Sequence, residues 1–216
     1  LRREVASLSA VELMVEDGLA LACRSAGLAP PFAAAHPAVL LVEASAARDP
    51  LDELSAAVAS LEGVADVAVA TEPSRAAALW RYREAHTEAV NALGAPHKLD
   101  VALPAGALAA FVARVPGVVA AADPHARTWL WGHVGDGNVH VNVTGVAPDD
   151  DRVDDAVLRA VVAEGGSISA EHGIGTAKRR WLGLVRSPAE LDAFRALKAA
   201  LDPDGVLNPH VLLPPA

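Results

Sequence analysis

The chain has 216 residues, 52% hydrophobic and 21% charged, which is enough apolar material for a packed core and excludes a disordered chain. Its formal net charge of -9 argues against a general nucleic-acid or anionic-membrane binder, although two or three local Lys or Arg suffice for a small anionic substrate. One cysteine, Cys23, excludes an internal disulfide and a thiolate metal cluster and fits a reducing, cytoplasmic setting.

Val11, Met14, Val15, Leu19 and Ala22 recur at helical spacing and predict an amphipathic helix over 10–28, stopped by Gly27 and Pro30-Pro31. The short apolar run 39–42 predicts a buried strand. Asp49-Pro50 opens a helix to about Leu61, and 64–70 reads as a second strand. Pro73 begins a long helix to Leu93, closed by Gly94. A strand with period-two alternation follows over 98–103, then a short helix from Pro104 to about Arg114. Residues 128–144 read as a hairpin, 149–163 as a helix, 167–170 as a short strand, and two helical stretches follow before Asp202-Pro203-Asp204-Gly205. The tail 206–216, with three prolines, is expected to be an extended arm. No run approaches the roughly 18–20 apolar residues of a membrane span. Mixed strands and helices with a hairpin predict an α+β fold, an antiparallel sheet with helices packed on one face. Residues 1–200 are expected to form one unit and 201–216 the arm.

The stretch 132–142 reads Gly-His-Val-Gly-Asp-Gly-Asn-Val-His-Val-Asn. Asp-Gly between alternating runs signals a two-residue hairpin turn. With Asp136-Gly137 as that turn, His133 faces His140 on one side of the sheet, and Asn142 shares that side. Two imidazoles so placed can share a divalent cation; equally, each can be a half-buried sheet residue with its own hydrogen-bond partner. Downstream, Glu171-His172-Gly173-Ile174-Gly175 leads from a strand end into a glycine turn. Glu171 can add an oxygen ligand, leaving positions open for substrate, and His172 beside it can act as a general base. Both residues can instead cap a helix start. Arg83 and Thr87, spaced i,i+4, share a helix face, and Lys98 opens the next strand; Arg suits bidentate carboxylate recognition, but Arg-rich helices are usually solvated. Trp129 and Trp131 alternate along one strand and read as packing or as the border of a pocket.

Four stretches together resemble the C-terminal half of FAD-linked oxidases of the vanillyl-alcohol oxidase type: GHVGDGNVHVNV at 132–143, EHGIGTAKRRW at 171–181, Arg83 and Thr87 with HKLDVALP at 97–104, and DPDGVLNP at 202–209. The resemblance spans essentially the whole chain. It implies a ferredoxin-like antiparallel sheet and an activity that oxidises a D-2-hydroxy acid, such as D-2-hydroxyglutarate, D-lactate or glycolate. By that resemblance His133, His140 and Glu171 hold a divalent metal, commonly zinc. His172 is the base that removes the hydroxyl proton, and Arg83, Thr87, Lys98 and Asn142 contact the substrate. Asn208 lies in the arm that returns toward the flavin. Val211 stands where the family often has a lysine. The family's FAD-binding domain lies N-terminal to this region, so the chain is expected to be the C-terminal substrate and metal portion of a larger enzyme. The fragment alone is expected to be inactive; a homodimer is left open. Two other classes compete: a non-catalytic metal or small-acid binding module that lacks a flavin partner, and a metal-dependent hydrolase built on the same two histidines and Glu171.

Overall fold

The computed structural model describes residues 1–214. Five strands form one antiparallel sheet in the order β2-β1-β4-β5-β3. They are β1 (Leu8–Val15), β2 (Ala38–Ala44), β3 (His97–Ala102), β4 (Arg127–His133) and β5 (Asn138–Thr144). Among the described residues six helices accompany them: α1 (Glu16–Ala26), α2 (Leu51–Ala59), α3 (Pro73–Asn91), α4 (Ala105–Ala122), α5 (Arg152–Ala163) and α6 (Pro188–Leu201), with a 3₁₀ turn over Arg179–Leu184. The α+β class is as expected.

Helices cover both faces of the sheet, which corrects the expected single helical layer. On one face Leu99, Val101, Leu130, Val139, Val141 and Val143 pack against Phe111, Val115 and Val119 of α4 and Val153, Val157, Leu158 and Val161 of α5. On the other, Trp129 and Trp131 of β4 pack against Leu21 and Ala22 of α1 and Ala89 and Val90 of α3. Met14 of β1 joins Leu19 and Cys23 on that side. The physical cause is alternation: β4 buries Leu130 toward one layer and its two tryptophans toward the other.

Several local expectations are revised. The helix expected over 10–28 is a strand followed by a helix, β1 and α1. Val11, Met14 and Val15 satisfy both periods, and the wall of β2 on one side and β4 on the other decides for strand. Gly27, at φ 62°, ends α1 in the left-handed conformation, with Leu28 N–H on Cys23 O at 2.9 Å. Residues 64–70 form no strand, and Val64, Val67 and Val69 are exposed. The helix expected to end near Arg114 runs on through Pro116 to Ala122, because Phe111, Val115 and Val119 make an i,i+4 stripe buried on the sheet. With 18 residues at a mean hydropathy of 1.7, α4 is, among the described residues, the one helix long and apolar enough by composition to cross a membrane, which the sequence reading overlooked. The strand expected over 167–170 shrinks to a single bridge between Ala102 and Ser167.

The tail is not an extended arm. Asp202 is buried and accepts hydrogen bonds from Val206 N–H and Leu207 N–H, each at 2.9 Å, turning the chain back after α6. Leu212 N–H donates to Gly175 O at 3.1 Å, and Arg179 donates to His210 O at 2.9 Å, so the tail lies on the loop that follows His172. Pro215 and Ala216 lie outside the described residues.

Candidate functional site

The tryptophan face of the sheet carries the polar residues. In register, Lys98 and Asp100 of β3 pair with Asn142 and His140 of β5, and Trp129 and Trp131 of β4 pair with the same two residues from the other side. Glu12 of β1 pairs with His133. Above them, α3 brings Arg83 and Thr87, and the segment after Ser169 brings Glu171 and His172. Arg83, Thr87, Lys98, His133, His140, Asn142, Glu171 and His172 line one cleft of about 480 Å³, joined by Leu99, Asp100 and Trp131. Asn208 does not line it; it sits exposed in the tail with φ 47°.

The hairpin register differs from the expected one. His140 pairs with Trp131, so His133 lies two residues beyond its expected partner, and the loop is 134–137 instead of two residues. A two-residue offset preserves the face, so the rings of His133 and His140 still meet, with centroids 5.3 Å apart. Two glycines make this possible. A Cβ on Gly132 would lie 2.4 Å from Asn138 O, and one on Gly137, at φ 89°, would lie 2.3 Å from Leu103 O. Leu103 N–H donates to Gly137 O at 2.9 Å, tying the loop to the end of β3.

Two buried carboxylates organise the cleft, and neither was singled out from the sequence. Glu12 accepts from Arg83 Nε at 2.6 Å through one oxygen and from His133 Nδ1 at 2.7 Å through the other. Arg83 Nη2 reaches His133 Nε2 at 3.3 Å. Asp100, 1% exposed, accepts from the backbone N–H groups of Ala170, Glu171 and His172 at 3.1, 2.7 and 2.8 Å, all on one oxygen. Its other oxygen has no hydrogen-bond partner among the described residues and lies 3.4 Å from His140 Nδ1. Burial pushes the Asp100 carboxyl up. The hydrogen bonds from His172 and Glu171 N–H, with the charges of His172 and Lys178, outweigh it and leave the group below the usual carboxylate range. Lys178 Nζ, itself buried, donates to Asp100 O at 2.7 Å.

Burial, reinforced by the Arg83 guanidinium and only partly offset by Asp100, pushes His140 down to about 4, so at neutral pH its ring is uncharged, the form that binds a metal. His133, His140 and Glu171 each offer a ligand atom within 4.8 Å of the others, and Asp100, His140 and His172 form a second such group. Two imidazole nitrogens and a carboxylate oxygen, with a carboxylate behind Nδ1 of each of the two sheet histidines, fit a divalent cation of the zinc type. The His172 ring stacks on His140 at 5.7 Å and 19°, on the solvent side of the cleft.

The remaining histidines stand apart from the cleft. His86 is fully buried, donates from Nδ1 to Tyr82 O at 2.8 Å and packs on Trp131. His97 sits on the opposite face, between Asp154 at 2.9 Å and Ala147 O at 3.0 Å. Glu12 was hidden inside an apolar run. Asp100 was within reach of the sequence, since it alternates with Lys98 and so shares its face.

A family model for the FAD linked oxidases, C-terminal domain, matches residues 1–212. The chain is similar to a D-2-hydroxyglutarate dehydrogenase of Xanthomonas citri pv. viticola, 38% identical over 202 residues, covering 86% of this chain and 42% of the relative. One of Stutzerimonas stutzeri is 32% identical over 216 residues, covering 94% and 46%. The mitochondrial D-2-hydroxyglutarate dehydrogenase of Bos taurus is 36% identical over 154 residues, covering 70% and 28%. The chain thus spans less than half the length of these relatives.

Proposed function

Since the chain belongs to the family of FAD linked oxidases, C-terminal domain, we propose that it is the substrate- and metal-binding portion of an FAD-dependent dehydrogenase that oxidises a D-2-hydroxy acid to the 2-oxo acid. The observation that carries this reading is the convergence of eight motif residues from α3, β3, β4, β5 and the 171–172 segment on one cleft. D-2-hydroxyglutarate is the favoured substrate. Its two carboxylates match the two cationic side chains Arg83 and Lys98, and the relatives described above carry that substrate in their names.

In this reading Arg83 and Lys98 bind the carboxylates, and Thr87 and Asn142 supply hydrogen bonds, so the substrate is held in one orientation. His172 takes the proton of the substrate hydroxyl. Asp100 keeps His172 in place through its backbone N–H. His133, His140 and Glu171 would hold a divalent cation, zinc by preference, which supplies Lewis-acid polarisation of the hydroxyl, while FAD supplies the hydride acceptor. No side chain can take a hydride, so the chain needs an FAD-binding domain, in the same polypeptide or the same complex, and is inactive without it. Asn208 is assigned to the contact with that flavin. A cytoplasmic site of action belongs to the same proposal, supported by the free buried thiol of Cys23.

The test is anaerobic. The chain together with its FAD-binding domain is mixed with D-2-hydroxyglutarate, D-lactate or glycolate, before and after chelation. The flavin absorbance is expected to bleach with D-2-hydroxyglutarate and to stop bleaching once the cation is removed. A flavin indifferent to all three acids overturns the reading.

A further inference from the structure

Glu12 is 3% exposed, lies on the inner strand β1 between β2 and β4, and is the only side chain shared by a candidate metal ligand and a candidate carboxylate-binding residue among the described hydrogen bonds. We propose that Glu12 is a positioning residue: it fixes His133 as the Nδ1–H tautomer, with the Nε2 lone pair toward the cleft, and aims Arg83 by gripping its Nε.

The argument is one of donors and acceptors. An ionised carboxylate only accepts, so the 2.7 Å contact places the His133 proton on Nδ1. A guanidinium only donates, so Arg83 Nη2 at 3.3 Å requires a lone pair on Nε2. The two contacts agree on a single neutral tautomer. Nε2 is also the atom 3.7 Å from Glu171 Oε1, which puts the lone pair on the side where the third candidate ligand stands. Arg83 Nε, at 2.6 Å from the second Glu12 oxygen, is held from behind, so the guanidinium edge that meets the cleft is set by the same carboxylate. Both Glu12 oxygens are used, one per partner, and a residue with a single acceptor cannot serve both.

Glu12→Gln tests this. Its amide has one acceptor oxygen and one donor NH₂. If the oxygen stays on Arg83 Nε, the NH₂ faces His133 Nδ1 and drives the proton to Nε2. This inference rests on the proposed function only where it concerns metal, and the two are read separately. Long-range proton–nitrogen correlation of the imidazole nitrogens, with His133→Ala for assignment, reports the tautomer of His133. Zinc affinity is measured in parallel by competition with a chromophoric chelator. The parent is expected to show the Nδ1–H tautomer, and Glu12→Gln the Nε2–H tautomer with zinc weakened by about 10- to 100-fold. A change of packing alone would not move the tautomer. An Nε2–H tautomer in the parent overturns the proposal without any variant, so a Glu12→Gln protein that fails to fold leaves it falsifiable. An Nδ1–H tautomer retained in a folded Glu12→Gln whose Arg83 Nε–H resonance is also unmoved overturns it, since the one amide oxygen cannot serve both partners. A tautomer switch in a protein whose zinc affinity is negligible and unchanged by His133→Ala upholds the role of Glu12 and removes the metal from the proposed function.

Discussion

His133 and His140 share a sheet face and leave Glu171 within ligand distance, so removing both imidazoles leaves one carboxylate of that three-residue group. His133→Ala combined with His140→Ala is expected to abolish stoichiometric zinc binding while preserving the far-ultraviolet circular dichroism. Zinc retained by that double variant would overturn the ligand assignment. Asp100 has a different task. Its single oxygen collects three backbone N–H groups that the segment 170–172 cannot satisfy internally. Asp100→Ala is therefore expected to cost roughly 2–4 kcal/mol in urea denaturation, since hydrogen bonds to a charged acceptor are worth more than neutral ones. A loss below about 1 kcal/mol would mean that the segment holds itself. These residues also show what was legible. His133, His140 and Glu171 stood out because their chemistry contrasts with alanine and valine, whereas Arg83 and Lys98 were singled out only through the family resemblance. Glu12 and Asp100 did not stand out, because a charge inside Val-Glu-Leu-Met-Val or Leu-Asp-Val reads as the wet side of its element until the neighbouring strands are placed.

At the scale of elements, the hairpin of β4 and β5 delivers the histidine pair, and its closest approach is at Gly132. A Cβ there would stand 2.4 Å from Asn138 O and 2.8 Å from Val139 Cα, both backbone, so neither can swing aside. Gly132→Ala is expected to destabilise by about 3 kcal/mol, at the upper end of overpacking costs, and to weaken zinc binding by spreading the two strands. Equal stability and affinity would mean that the sheet absorbs the methyl group. The same element explains a partial success of sequence reading. Alternation fixes the face of each side chain, so the shared side of His133, His140 and Asn142 survived a register wrong by two residues. Alternation cannot count loop residues, and here the loop has four because Leu103 N–H captures Gly137 O. The error at α4 has the opposite origin. Pro116-Gly117 is a local stop signal, but Val115 and Val119 are fully buried on the sheet and carry the helix past it. In 8–26 the apolar spacing serves a strand and a helix equally, and only the flanking strands β2 and β4 distinguish them.

The molecule as a whole is a sheet between two helical layers, and His86 sits where the smaller layer closes on it. From α3 its ring packs on Trp131 of β4 with centroids 5.2 Å apart, and α1 approaches at Gly18, where a Cβ would lie 3.3 Å from the ring. Nε2 has no partner among the described residues, so a proton added there would be buried uncompensated beside Arg83. Burial first, with the Arg83 charge adding to it, pushes His86 down to about 4, against hydrogen bonds from the ring to Tyr82 O and Arg83 O that pull it up. The unfolded chain takes up this proton near pH 6.5, the reference value, whereas the folded chain resists until about pH 4. The unfolded state therefore binds more protons between those values, and stability falls as pH falls through that window and is fully present above it. His86 alone is expected to lower unfolding stability by about 2 kcal/mol on going from about pH 7 to about pH 5. His140, shifted in the same direction, adds to the slope when no cation is bound. Urea midpoints measured in chelator across that range check this. His86→Leu, which has no proton to take up, is expected to flatten the dependence by the His86 share. An unchanged slope in that variant would mean that the pH response comes from elsewhere in the two-layer core.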